Sequence, residues 1–110
     1  MSKAIIIDSK NKEIYYKEIN NLENIQEAIG GLITFAFYNP LQDVCYVNDE
    51  GLFDNTLDFF TYEGAHQPFA GNGVLIGTDS KGNDVDVVEE YESVKKKVKF
   101  HDRDMIRNVL

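Results

Sequence analysis

At 110 residues the chain is long enough for one hydrophobic core and too short for two, which predicts a single domain over residues 1–110. Nineteen acidic residues against eleven basic ones give a formal charge of −8, which excludes sequence-independent binding to DNA or RNA backbones because that needs a basic footprint. One cysteine excludes an internal disulfide framework and fits a reducing cytoplasm, and no apolar run reaches the roughly 18 residues of a membrane span.

Residues 4–7 form an apolar run that ends at Asp8, too short for the apolar region of a signal peptide. The isoleucine-rich stretch 3–8 predicts a strand buried on both faces, and a polar turn at 9–12 leads to a second strand over 13–19. In that strand Ile14 and Tyr16 share one face, and Tyr15 and Lys17 the other. Residues 20–31 carry the marks of a short helix. Asn20 or Asn21 caps it, with Glu23 in a loose capping box. Leu22, Ile25, Ala28 and Ile29 form its apolar face, and Gly30-Gly31 end it.

Strands follow over 32–38 and 44–48, with a turn at Asn39-Pro40 between them. In 52–62 neither period wins, so an irregular stretch with a short helical turn is expected. A glycine-punctuated loop, Phe69-Ala70-Gly71-Asn72-Gly73, then runs into a fifth strand, an apolar run, and a turn at 79–83. Residues 86–99 predict a helix: Val87, Tyr91, Val94 and Val98 make a stripe, acids come early and lysines late, and Asp86 with Glu89 forms a cap pair. A further helical turn is expected in 102–110. This order predicts an α+β fold, a mixed or antiparallel sheet of about five strands with two helices packed on it.

Chemistry is thinly supplied. Neither His66 nor His101 has a cysteine or second histidine at metal-ligand spacing, so no metal site and no cofactor are expected. Residues Asp49, Glu50, Asp54 and Asp58 lack the spacing of an EF-hand loop. Cys45, between Val44 and Val47, fits a small core residue rather than a nucleophile, and the serines lie in no nucleophile-elbow pattern. No catalytic residue is assigned.

The glycine loop is the candidate ligand site. It is neither a Walker loop nor a dinucleotide fingerprint, because no lysine and hydroxyl follow it and a strand stands where a helix should begin. Backbone N–H groups at Gly71, Asn72 and Gly73 could form a small anion-binding concavity. Tyr62 and Phe69, at the two ends of the approach, offer flat faces for a ring, and His66 and Gln67 offer hydrogen bonds. Pro68 stiffens the approach and holds Gln67 extended.

Residues 3–8, 22–31 and 68–77 together resemble a family of small uncharacterised proteins frequent in bacteriophage and bacterial genomes. Where that family usually has Asn-Pro before the loop, this chain has Gln67-Pro68. The resemblance implies a viral or mobile-element setting, in which small acidic proteins often block host defences, and it supplies no catalytic residue. The leading expectation is therefore a cytoplasmic, phage-type anti-defence protein that sequesters a nucleotide-like small molecule through Tyr62, His66, Gln67, Phe69, Gly71, Asn72 and Gly73. The alternative is an acidic module that mimics nucleic acid and covers a basic host protein, and a small nucleotide hydrolase stands third. A domain of this size can also build a ligand site between two copies as a homodimer.

Overall fold

A computed structural model describes residues 2–48, 58–65 and 67–102. In it β1 (Ser2–Asp8) and β2 (Glu13–Ile19) pair as an antiparallel hairpin with Ser2 opposite Ile19 and Asp8 opposite Glu13. The Asp8 carboxylate closes the turn by accepting from the backbone N–H and side-chain amide of Asn11 at 3.1 and 2.9 Å. α1 (Leu22–Ile29) follows. Asn21 caps it by accepting from Asn24 N–H at 3.0 Å, and Asn24, not Glu23, reaches back to Asn20 N–H at 2.8 Å. Gly30 ends the helix at φ 87° and donates to the Gln26 carbonyl. Ile25 and Ile29 are buried, whereas Leu22 is 56% exposed and stands off the apolar face predicted for it.

The chain continues through β3 (Ile33–Tyr38), β4 (Val44–Asn48), β5 (Asp58–Tyr62), β6 (Phe69–Ala70), β7 (Gly73–Thr78), β8 (Asp84–Val85), α2 (Tyr91–Lys97) and β9 (Val98–Asp102). The large sheet has the order β2-β1-β7-β4-β3, with β8 also paired to β7, and a second sheet has the order β6-β5-β9. Among the described residues every pairing is antiparallel. The fold is α+β. The five-strand run of the large sheet matches the expected strand number, and the second sheet is an addition.

The alternation of each central strand assigns two cores. Ala4, Ile6, Val44, Val74 and Ile76 face Ile25 and Ile29 of α1. Ile5, Ile7, Cys45, Val47 and Leu75 face the other way, onto Phe60, Tyr62, Phe69, Val94 and Val98. The large sheet is thus a middle layer, covered by α1 on one side and by the small sheet with α2 on the other. This two-sided burial explains why β1 and β7 are continuous apolar runs instead of alternating ones.

Two expectations are corrected here. Residues 58–62, expected to be irregular, form β5, because Phe59 and Phe60 pair with His101 and Phe100 on one neighbour and with Ala70 and Phe69 on the other. The helix expected over 86–99 shrinks to Tyr91–Lys97. Its predicted cap pair is absent: the Asp86 carboxylate accepts from Lys3 N–H at 2.7 Å, and Glu89 turns inward. Tyr91 N–H instead donates to the Tyr16 hydroxyl at 3.2 Å, so β2 anchors the start of the helix. Val98 and Phe100 leave the helix because their two-residue spacing serves pairing with Tyr62 and Phe60. Met1, residues 49–57, His66 and 103–110 lie outside the described residues, as do the expectations placed on them.

A candidate ligand cleft beside the second helix

The glycine loop is committed to the fold. Gly71 sits at φ 77°, and its N–H donates to the Asp58 carbonyl at 3.0 Å. Gly73 is within β7, paired with Ile7 and Val47, and a Cβ there would stand 2.8 Å from Phe60 Cζ. The glycines therefore serve a left-handed turn and a close ring approach. Asn72 spans two elements: its side-chain amide donates to the Ala28 carbonyl at 3.2 Å, and its Oδ1 accepts from Ser9 N–H at 3.1 Å. Asn72→Ala removes both bonds and will cost about 1–3 kcal/mol, read as a lower urea midpoint with an unchanged slope.

The rings expected at the loop's ends are core. Phe69 and Tyr62 are buried, and both pack on Phe37, with centroids 5.4 and 4.8 Å away. Gln67 is exposed, and His66 lies outside the described residues. Tyr62 and Phe69 share the small-sheet core while Asn72 bonds to the α1 side, so the predicted site residues do not converge.

A different constellation forms around Glu89, which is buried. Its Oε1 accepts from the Tyr62 hydroxyl and from the Asn39 amide, and its Oε2 accepts from Ser93 Oγ at 2.7 Å and Lys97 Nζ at 2.5 Å. Asp43, fully buried, accepts from Val88 and Glu89 N–H at 2.8 and 2.9 Å and from Asn39 Nδ2 at 2.9 Å. Burial pushes the Glu89 carboxyl up, but the Lys97, Tyr62 and Ser93 donors outweigh it and hold the group below the ordinary glutamate value. Burial first, and then the Glu89 carboxylate, push the Tyr62 phenol well above its ordinary range. Burial alone pushes the Cys45 thiol up, as suits a core residue. Each Glu89 oxygen already carries two donors, so the carboxylate serves to fix α2 against β5 and the 39–43 turn.

With α2 held in that way, a cleft of about 450 Å³ opens between it and the edge of β2. Glu13, Ile14 and Tyr15 form one wall, and Tyr91, Lys95, Val98 and Phe100 the other, with Lys12 contributed by the hairpin turn. Lys12 and Lys95 are exposed, and neither is ion-paired among the described residues. Tyr91 is braced by Tyr16, whose ring centroid lies 5.7 Å away. On the opposite side of α2 a second cleft, about 390 Å³, is lined by Lys96, Lys97 and Lys99 with Thr61 to Ala65. An acidic chain thus gathers four of its eleven basic residues, at 95, 96, 97 and 99, around the end of one helix.

The family model described as "Domain of unknown function (DUF3846)" matches residues 1–99. The chain belongs to that family. No curated protein and no solved structure matches it. The matched span takes in all of the Glu89 cluster and every residue of the cleft except Phe100, which lies one position beyond it.

Nothing in the sequence marks Lys12, Tyr91, Lys95 or Phe100 as site residues. The lysine run was visible, but its position at a helix end explained it fully through the dipole. What it concealed is that the helix stops at Lys97, which splays the lysines to either side of the junction with β9.

Proposed function

We propose that the chain binds a small anionic ligand of the nucleotide class and holds it without consuming it. The observation that supports this most is the cleft beside α2, where two exposed ammonium groups and the rings of Tyr91 and Phe100 line one concavity. Lys12 and Lys95 would take the phosphate charge, and Tyr91 and Phe100 would offer stacking surface. Glu13 would accept from an exocyclic base amine. The volume falls in the range of small-molecule sites. Local positive charge here relieves the repulsion that a chain of −8 would otherwise impose on a polyphosphate. Holding rather than hydrolysing is favoured because the buried carboxylate nearest α2, Glu89, has both oxygens occupied. In the phage setting that the resemblance implies, the ligand would be a nucleotide-derived immune signal, which places the chain in the host cytoplasm.

Thermal melts with ATP, ADP-ribose and cyclic di-GMP test this. A ligand at one hundred times its Kd stabilises by about 2.7 kcal/mol, a clear rise in Tm. Lys12→Glu/Lys95→Glu will abolish the rise, Tyr91→Ala will weaken it, and Lys81→Glu, in a distant exposed turn, will leave it intact. Chromatography of the extracted ligand must return it unchanged. Recovery of a cleaved product would replace sequestration by hydrolysis, and no rise with any of these compounds would overturn the reading.

A second reading rests on the opposite face. Glu23, Glu27 and Gln26 of α1 border a shallow depression beside Gly30 to Leu32, an acidic surface suited to a basic protein. Binding of that kind would weaken steeply with salt and would be lost in Glu23→Lys/Glu27→Lys.

A further inference from the structure

We infer that two copies of the chain pair through β3, edge to edge, and extend the large sheet across a twofold axis. The two outer strands of that sheet are β2 and β3, and they differ in how they meet solvent. β2 carries Glu13, Lys17 and Glu18, the charged guard by which exposed edges avoid pairing. β3 reads Ile33-Thr34-Phe35-Ala36-Phe37-Tyr38, without a charge, and among the described residues it pairs only with β4. Apolar side chains stand out along it: Leu32 is 61% exposed, Phe35 51% and Tyr38 57%. The Phe35 and Tyr38 rings already touch, with centroids 4.9 Å apart, so the exposed surface is a patch and not scattered residues.

Charge selects the occupant. Residues 28–42 hold no Asp, Glu, Lys, Arg or His, although more than a quarter of the chain is charged. A basic partner would gain nothing from this stretch and would be drawn to the acidic surface elsewhere. A second copy, itself at −8, can approach only where the net repulsion is least, and a neutral stretch meeting its own image satisfies that condition. Strand addition then supplies main-chain hydrogen bonds, and cross-strand aromatic contacts between the two Phe35–Tyr38 pairs supply the packing. A bulge at Ala36, where the register with β4 shifts between Phe35 and Phe37, separates two regularly paired stretches, Ile33–Phe35 and Phe37–Tyr38.

Sedimentation velocity with multi-angle light scattering across the micromolar range tests the pairing. The chain is expected at twice the 12.5 kDa of one copy, with the dimer fraction falling on dilution. Phe35→Lys and Leu32→Lys, both at exposed positions, will raise the dissociation constant at least about tenfold while circular dichroism stays unchanged. Tyr15→Lys on β2 will not change it. Because charge added anywhere could weaken self-association, Phe35→Ser provides an uncharged variant that must also shift the equilibrium toward monomer. A monomer throughout the range would overturn the inference, as would a dimer that survives the β3 variants or dissociates equally with Tyr15→Lys.

Discussion

Replacing Glu89 with alanine will destabilise the protein by about 3–5 kcal/mol, the usual result of removing one member of a buried ion pair. The lost carboxylate leaves Lys97, Ser93, the Asn39 amide and the Tyr62 hydroxyl without the acceptor that each now uses. A thermal melt will show a fall in Tm of more than about 12 °C for a domain of this size. Glu89→Gln keeps an acceptor of the same shape and will cost less, which separates the ion pair from the hydrogen bonds. The pH dependence follows from the direction of the shifts. Glu89 is held below its ordinary value of 4.5, so its contribution is complete above pH 4.5 and is lost as pH falls through the lower folded value. Tyr62 is held above its ordinary value of 10.0, so stability falls as pH rises beyond 10, where the unfolded phenol ionises and the folded one does not. Urea titrations of the wild type at decreasing pH will show the acid loss, and Glu89→Gln will lack that component.

Gly77→Ala will cost about 3 kcal/mol or more, although alanine is the smallest possible addition. A Cβ at Gly77 would stand 2.3 Å from the Asp86 carbonyl oxygen and 3.0 Å from Val85 Cγ2. The carbonyl is backbone and cannot swing aside. Moving it also disturbs the Asp86 carboxylate on Lys3 N–H and the bond from Val87 N–H to the Lys3 carbonyl, which dock this segment beside β1. Gly82→Ala makes the comparison clean. Gly82 has φ 84° with open space where its Cβ would be, so only backbone strain of about 1 kcal/mol applies there. Urea midpoints of the two variants will differ accordingly, and equal midpoints would show that the close approach at Gly77 relaxes freely.

What the sequence made legible was local. The first helix could be placed because Asn21, Ile25, Ile29 and Gly30 act within a few residues of one another. The hairpin of β1 and β2 and the strands β3, β4 and β7 followed from short apolar runs bounded by turns. The periodicity predicts too long a second helix because Val94 and Val98 fit a helical stripe, while Val98 and Phe100 fit a strand equally well. Only β5, nearly forty residues earlier, decides between them. The packing around the glycine loop is hidden from the sequence for the same reason. Tyr62 was visible as an aromatic beside a glycine loop, but its partner Glu89 lies 27 residues away and draws its hydroxyl inward. Asn72 reads in the sequence as a ligand contact, and in the structure its amide ties the turn after β1 to the end of α1. The cleft itself joins Lys12 to Phe100, a juxtaposition that exists only once the sheets have formed.

The most direct measurement is a pair of ¹⁵N–¹H correlation spectra, recorded without and with saturating ATP and then with cyclic di-GMP. Binding beside the second helix will shift the amides of residues 12–15, 91–95 and 98–100 and leave Gly71, Asn72 and Gly73 in place. Shifts centred on Gly71 to Gly73, or spectra that do not change with either compound, would contradict it.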